Sequence, residues 1–476
     1  MNRYIYIYNV IALVGSFIAS TISFNSYGSD WTYDPQAKTL TDGTFGFTAN
    51  IIDETTNKLN VTDNIASYSN DTHQCGLDLK NGIISDTDGN TYKISKWGVD
   101  LKNADITSVW LPSSITEITG TFESCFDITD FNFTSEYVLS VPDNFMIWCN
   151  GITNGVLYLP NLRKLGRFAF ADIYHSDASK DWSLPISNVI TKAVTGISDS
   201  AFCDNCFIGD AVITNLTDTA INNNTFLRSR VSSIDISSKT VTQIGDYAFI
   251  TPVKRLRLDF PNLETIGRSA FSGCGATNDI SDITLDVVRK IYDSAFHNSN
   301  FTGDLVLTNM TELYINNSVF CYSKFDSITI SNGNCSAIYQ NAFANSSAKT
   351  MRLDLPKCTV IQSSAFSGCS ATNDISFVLP KTVTKMGGDA YAGSGFRGTA
   401  DLSNVDEMTF SAFDGSAIDE VILGENWTSF SSYAGFEGCP NLKKVTFPQW
   451  DLDVVPTKIP IKYKKNYTPF KKCTAI

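Results

Sequence analysis

Three histidines and twelve cysteines are the residues of this 476-residue chain best suited to chemistry. His73 lies two residues from Cys75, His175 falls in a loop-like stretch, and His297 directly follows Phe296. A thiol becomes a nucleophile only beside a base, so a Cys–His pair is the arrangement to look for. Nothing in the sequence places such partners together. Cys203 and Cys206 form a Cys-x-x-Cys (CDNC), the spacing of zinc and redox sites, but no second pair completes a four-ligand set. Asp86 to Asn90 (DTDGN) begins like a calcium loop without its remaining ligands and reads as a turn. Asp and Glu are plentiful but scattered, and no paired-carboxylate site stands out. The expectation is no enzyme: no catalytic residue, no metal site and no cofactor.

The formal charge of −13 counts against nucleic acid as a partner, because neutralising a phosphate backbone requires clustered Lys and Arg. Residues 1–28 resemble an export signal. Arg3 precedes an almost uncharged stretch from Tyr4 to Phe24, most apolar from Val10 to Ala19. An uncleaved signal anchor is the alternative. At the other end, residues 448–476 form a tail with six lysines between Lys458 and Lys472. A solvated end is the first reading of that tail, and attraction to an anionic envelope or lipid surface is the second. Membrane contact is therefore expected, if anywhere, at the N-terminal segment or the tail.

The elements that must position any site repeat along the chain. An aromatic recurs at Phe122, Phe145, Phe170, Phe202, Phe226, Phe249, Phe271, Phe296, Phe320, Phe343, Phe366, Tyr391, Phe413 and Phe436, at a mean interval of about 24 residues. Only the step from Phe170 to Phe202 is long, which predicts a loop over Tyr174 to Trp182. Five residues before the aromatic stands an aliphatic residue, from Leu165 and Ile197 through Ile361 and Met386. A second aliphatic column, thirteen before it, includes Ile213, Ile236, Leu258, Leu307 and Leu353. Around that second column polar and apolar residues alternate, as in Leu256, Leu258 and Phe260, the pattern of a short strand with one buried face. Such a unit cannot bury its apolar side alone, so the units must stack into one continuous core. The segments starting at Ile266 (IGRSAFSGCGATNDIS) and Ile361 (IQSSAFSGCSATNDIS) match at an offset of 95, four units, as tandem duplication would produce.

The pattern L-x-L-x-x-P-x-L-x-x-I-x-x-x-A-F-x-x-C, as in Leu256 to Cys274, resembles the BspA-like leucine-rich repeats of bacterial and protist surface proteins. The resemblance implies a curved solenoid on a secreted or cell-surface protein, commonly linked to adhesion, and transfers no catalytic residue. The fold class expected is a leucine-rich-repeat solenoid with one short parallel strand per unit of about 23–25 residues, plus a small β-rich N-terminal cap. Residues 29–105 form the cap, 106–447 about 14 repeats, and 448–476 the basic tail. The first two units depart from the pattern, with the aliphatic residue four before Phe122 and Phe145. The last unit has one residue inserted before Phe436.

In this frame most cysteines read as small core residues. Cys125, Cys274, Cys369 and Cys439 sit three after the aromatic; Cys335 and Cys358 sit eight before it. Only neighbours such as Cys335 with Cys358, or Cys125 with Cys149, are placed to meet. Asn-x-Ser/Thr acceptors at Asn60, Asn132, Asn215, Asn309 and Asn426 matter only in a eukaryotic secretory route. The residues flanking the strand column should face outward. Among them Arg257, Asp259, Thr284, Thr308, Arg352, Asp354 and Asp401 are the candidate ligand-facing groups. The function expected is an adhesion scaffold for a host or neighbouring-cell protein or glycan. The alternative is a structural envelope or self-assembling protein with no foreign ligand.

Overall fold

In the computed structural model the described residues are 32–41, 46–53, 58–64, 75–79, 83–85, 88, 90–104, 106–173, 184–424, 435–446 and 472–475. The apolar N-terminal segment, His73, the loop from Tyr174 to Trp182 with His175, most of the DTDGN run, Asn426 and the tail as far as Lys471 lie outside them.

The alternation around each strand column produces the expected parallel strands, paired in register from one turn to the next. Asp210–Ile213 pairs with Ser233–Ser237, which pairs with Arg255–Asp259; Ile213, Ile236 and Leu258 fall side by side. Asp304–Leu307, Ser327–Ser331 and Thr350–Asp354 repeat the arrangement. The aliphatic column five before the aromatic forms a second ladder of two-residue strands, such as Gln243–Ile244, Thr265–Ile266 and Lys290–Ile291. A third ladder runs through the aromatics: the Phe249, Phe271 and Phe343 N–H groups donate to Ala270, Ala295 and Ala365 carbonyls, each at 2.8 Å. Along these ladders backbone polar groups of one turn are satisfied by the next, as burial demands. The result is a parallel β-solenoid of about 14 turns.

The aromatics stack through the middle. Phe226 and Phe249 lie 5.9 Å apart with rings 11° from parallel, Phe343 and Phe366 5.1 Å and 5°, Tyr391 and Phe413 5.2 Å and 3°. Where the first units depart from the sequence pattern the rings turn on edge, Phe122 to Phe145 at 78° and Phe145 to Phe170 at 88°. The bend around each anchor places the residues two before and two after it in the left-handed region in most turns, for example Ser269 with Gly273, and Ser364 with Gly368. Glycine meets that demand without a Cβ penalty, and Asn and Asp tolerate it better than most other residues.

The N-terminal region is β-rich. Thr32–Asp34, Thr39–Thr41, Gly46–Asp53, Lys58–Asn64, Ile83–Ser85 and Thr91–Trp97 share a sheet with Glu117–Ile118. Trp97, fully buried, stacks on Phe122 at 6.2 Å and 3°, so it heads the aromatic column of the repeats.

The strand ladder is not uniform. At Ile186–Asn188, Ile280–Asp282 and Ile375–Phe377 a 3-10 turn takes the strand's place. Triplets of strands therefore alternate with one 3-10 turn, and the duplicated block is a four-turn structural unit. Asn278 and Asn373 bridge the interruption with a side-chain amide acting as a peptide group. Asn278 Oδ1 accepts from the Leu256 N–H and its Nδ2 donates to the Leu256 carbonyl, at 3.1 and 3.0 Å. Asn373 does the same to Met351, at 2.9 Å each way.

Candidate functional site: the outward strand ladder

Alternate residues of each strand point away from the core. In Arg255–Asp259, Leu256 and Leu258 are buried while Arg255, Arg257 and Asp259 are exposed; Thr350–Asp354 follows suit with Arg352 and Asp354 exposed. The register aligns these groups across turns: Val212, Asp235 and Arg257 in one triplet, Val306, Thr329 and Arg352 in the next.

The seven predicted residues lie on or beside this ladder with different degrees of freedom. Arg257 reaches back one turn to Asp235 at 3.3 Å. Asp259 accepts a long hydrogen bond from Thr284 Oγ1, 3.5 Å, because an isolated bridge between Leu258 and Ile283 brings the two turns together. Thr308 is exposed and follows Asp304–Leu307. Arg352 lies over the Phe377 ring at 5.3 Å, a cation–π contact on a 42% exposed aromatic. Asp354 is exposed, and its backbone carbonyl accepts from the Asn332 N–H. Asp401 is half-buried, and its carboxylate is engaged by the Ser403 N–H at 3.1 Å.

Sequence reasoning passed over the apolar members of the same face. Val156, Tyr158, Val212, Val306 and Phe377 are all more than 40% exposed. The signal was available, since each occupies the place flanking the strand column. Arg255 was also missed; it pairs with Asp282 of the 3-10 turn at 3.5 Å.

Among the described residues, Cys203 and His297 have other partners. Cys203 is half-buried and donates to Asp204 at 3.3 Å; burial, with the Asp204 carboxylate beside it, pushes its thiol far above the ordinary range. Burial raises Cys206 to about 12. A thiol so raised holds little thiolate near neutrality and reacts slowly there as a nucleophile. His297 faces Ser272 Oγ at 3.5 Å and meets Tyr322 edge-on; burial lowers its pKa. No cluster of three or more metal-ligating side chains exists among the described residues. Cys274, Cys369 and Cys439 are buried, and Cys369 and Cys439 donate to the Phe343 and Phe413 carbonyls of the preceding turn. Asn215 and Asn309, read as acceptor sites for glycosylation, belong to an asparagine column with Asn161, Asn262 and Asn404. Each donates its amide to a carbonyl one turn back, as Asn262 does to Lys239 at 2.8 Å.

Stacked parallel turns with an aliphatic and aromatic core define a leucine-rich-repeat solenoid. The profile described as "BspA type Leucine rich repeat region" matches residues 101–203, 176–302, 219–351, 289–402 and 336–458, and the chain belongs to that family. Among solved structures, a leucine-rich repeat protein from Bacteroides ovatus is 17% identical, with 80% of this chain and 94% of that chain covered and a TM-score of 0.53. A leucine rich cell surface protein from Faecalibacterium prausnitzii is also 17% identical, with 87% and 96% covered and a TM-score of 0.37. No curated protein matches the chain.

Proposed function

We propose that the chain is a secreted or cell-surface protein that acts as an adhesion scaffold. It holds a protein or glycan of a host or neighbouring cell along its outward strand ladder. The observation that carries this reading is the duplication of that face. Asp210, Val212 and Thr214 recur as Asp304, Val306 and Thr308; Ser233 and Ser237 as Ser327 and Ser331; Arg257 and Asp259 as Arg352 and Asp354. Four turns at a strand spacing of about 4.8 Å separate equivalent groups by about 19 Å. A ligand with its own repeat, such as a glycan chain or an extended polypeptide, meets the same groups twice, and two weak contacts on one chain reinforce each other. Export follows from the apolar N-terminal stretch, and that segment or the basic tail supplies any contact with a membrane. The scaffold is assigned no catalysis.

A structural role without a foreign ligand is the second reading. It is favoured by ion pairs that join neighbouring turns, such as Arg257 with Asp235, Lys349 with Asp326 and Lys444 with Glu420, which leave part of the face self-satisfied. The full chain, screened against arrays of matrix proteins and glycans beside sedimentation analysis, separates the two. Saturable binding by a monomer is expected; absence of binding together with ordered self-association would favour the structural reading.

A further inference from the structure

A solenoid ends on an uncovered turn, and its last apolar groups and carbonyls need a partner. Here the partner comes from the chain's own C-terminal residues. Cys473 packs against the core, Lys472 pairs with Glu437 at 3.1 Å, and Thr474 Oγ1 lies 3.5 Å from the Pro440 carbonyl. Cys473 Sγ donates to the Phe436 carbonyl at 3.0 Å, while Cys439 Sγ donates to the Phe413 carbonyl at 3.1 Å. Cys473 therefore stands to the last turn as Cys439 stands to the turn before it. The sequence carries the same sign: Phe470-x-x-Cys473 repeats the Phe436-x-x-Cys439 spacing. The two thiols are near enough to influence each other's ionisation.

We propose that Cys439 and Cys473 form a redox-sensitive disulfide that fastens the C-terminal residues over the open end of the solenoid. Successive turns about 4.8 Å apart fall within the Cα separation of roughly 4.4–6.8 Å that a disulfide spans. Cys439 is fully buried but Cys473 is half-buried, so the pair can be approached from the tail side, whereas Cys335 and Cys358 are both fully buried. The oxidant is a small-molecule disulfide of the glutathione type. The Cys473 thiolate attacks one of its sulfurs and releases one glutathione thiol. The Cys439 thiolate then attacks the mixed disulfide and releases the second. Two protein thiols lose two protons and two electrons, and one glutathione disulfide gains them. Burial raises both thiols, Cys439 to about 11. The reaction should therefore quicken by about tenfold per pH unit through the neutral range.

The test is oxidation of the folded full chain with glutathione disulfide at mildly alkaline pH, then alkylation, tryptic digestion and mass spectrometry. The expected product links the peptide Gly398–Lys443 to Cys473–Ile476; it disappears on reduction and does not form in Cys473→Ser. A Cys473–glutathione adduct that never resolves, both cysteines alkylated separately, or a link that forms only in urea would each overturn the proposal. The readout is independent of any ligand.

Discussion

The place three residues after each anchor aromatic holds Cys in some turns and Ser in others, and the structure shows what that place requires. Where Cys or Ser stands there the group is small and buried, and in several turns it gives its proton to a carbonyl. Cys369 does so to Phe343, and Ser323 to Phe320 at 2.7 Å. Ser394 occupies the same place, and its buried hydroxyl has no hydrogen-bond partner. An orphaned buried hydroxyl costs about 1–3 kcal/mol, so Ser394→Ala should raise stability by about 1 kcal/mol, read as the shift of a urea midpoint at unchanged slope. Asp172 belongs to the same scale. Burial and the nearby Asp204 carboxylate raise its pKa to about 6, against the pull of Arg228 and Trp148. The folded state therefore binds a proton the unfolded state has released between about pH 4 and 6, and stability falls as pH rises through that window. Asp172→Asn should abolish that slope and stabilise the protein at pH 7 by about 1 kcal/mol, after allowance for solvent screening. A flat wild-type profile across the window would contradict this account of Asp172.

At the scale of elements, the aromatic ladder and the 3-10 interruptions make different demands. Phe343 is packed on both sides by rings within 5.3 Å. Phe343→Ala should cost about 3–5 kcal/mol and lower the thermal midpoint. Asn373→Leu keeps the volume but leaves the Met351 N–H and carbonyl without their partner, and should cost about 2 kcal/mol. Asn373→Gln, with the amide displaced by a methylene, should recover little. The ladder was legible because one large ring per turn leaves a fixed period of about 24 residues in the sequence. The interruptions were not, because Ile280 and Ile375 are buried just as a strand residue would be, and alternation alone cannot separate a 3-10 turn from a strand. The offset of 95 nevertheless pointed to the block they delimit. Of the candidate site, the outward orientation of Arg257, Asp259, Arg352 and Asp354 followed from period two. Their partners did not, because Asp235, Thr284 and Phe377 are neighbours only once turns of unequal length are stacked.

In the whole molecule, one continuous core carries the outward strand ladder and its duplicated groups. The quadruple variant Arg257→Glu, Asp259→Arg, Arg352→Glu, Asp354→Arg conserves the net charge while inverting the ladder at both copies. Reversing Lys385 and Glu407, an exposed pair on the second ladder, makes the matched control. The decisive measurement is the affinity of both variants, verified as folded by circular dichroism, for a ligand found with the unaltered chain. If the ladder is the binding face, the ladder variant loses at least tenfold in affinity, about 1.4 kcal/mol or more, and the control is unchanged. Equal affinity of the ladder variant and the unaltered chain would contradict it.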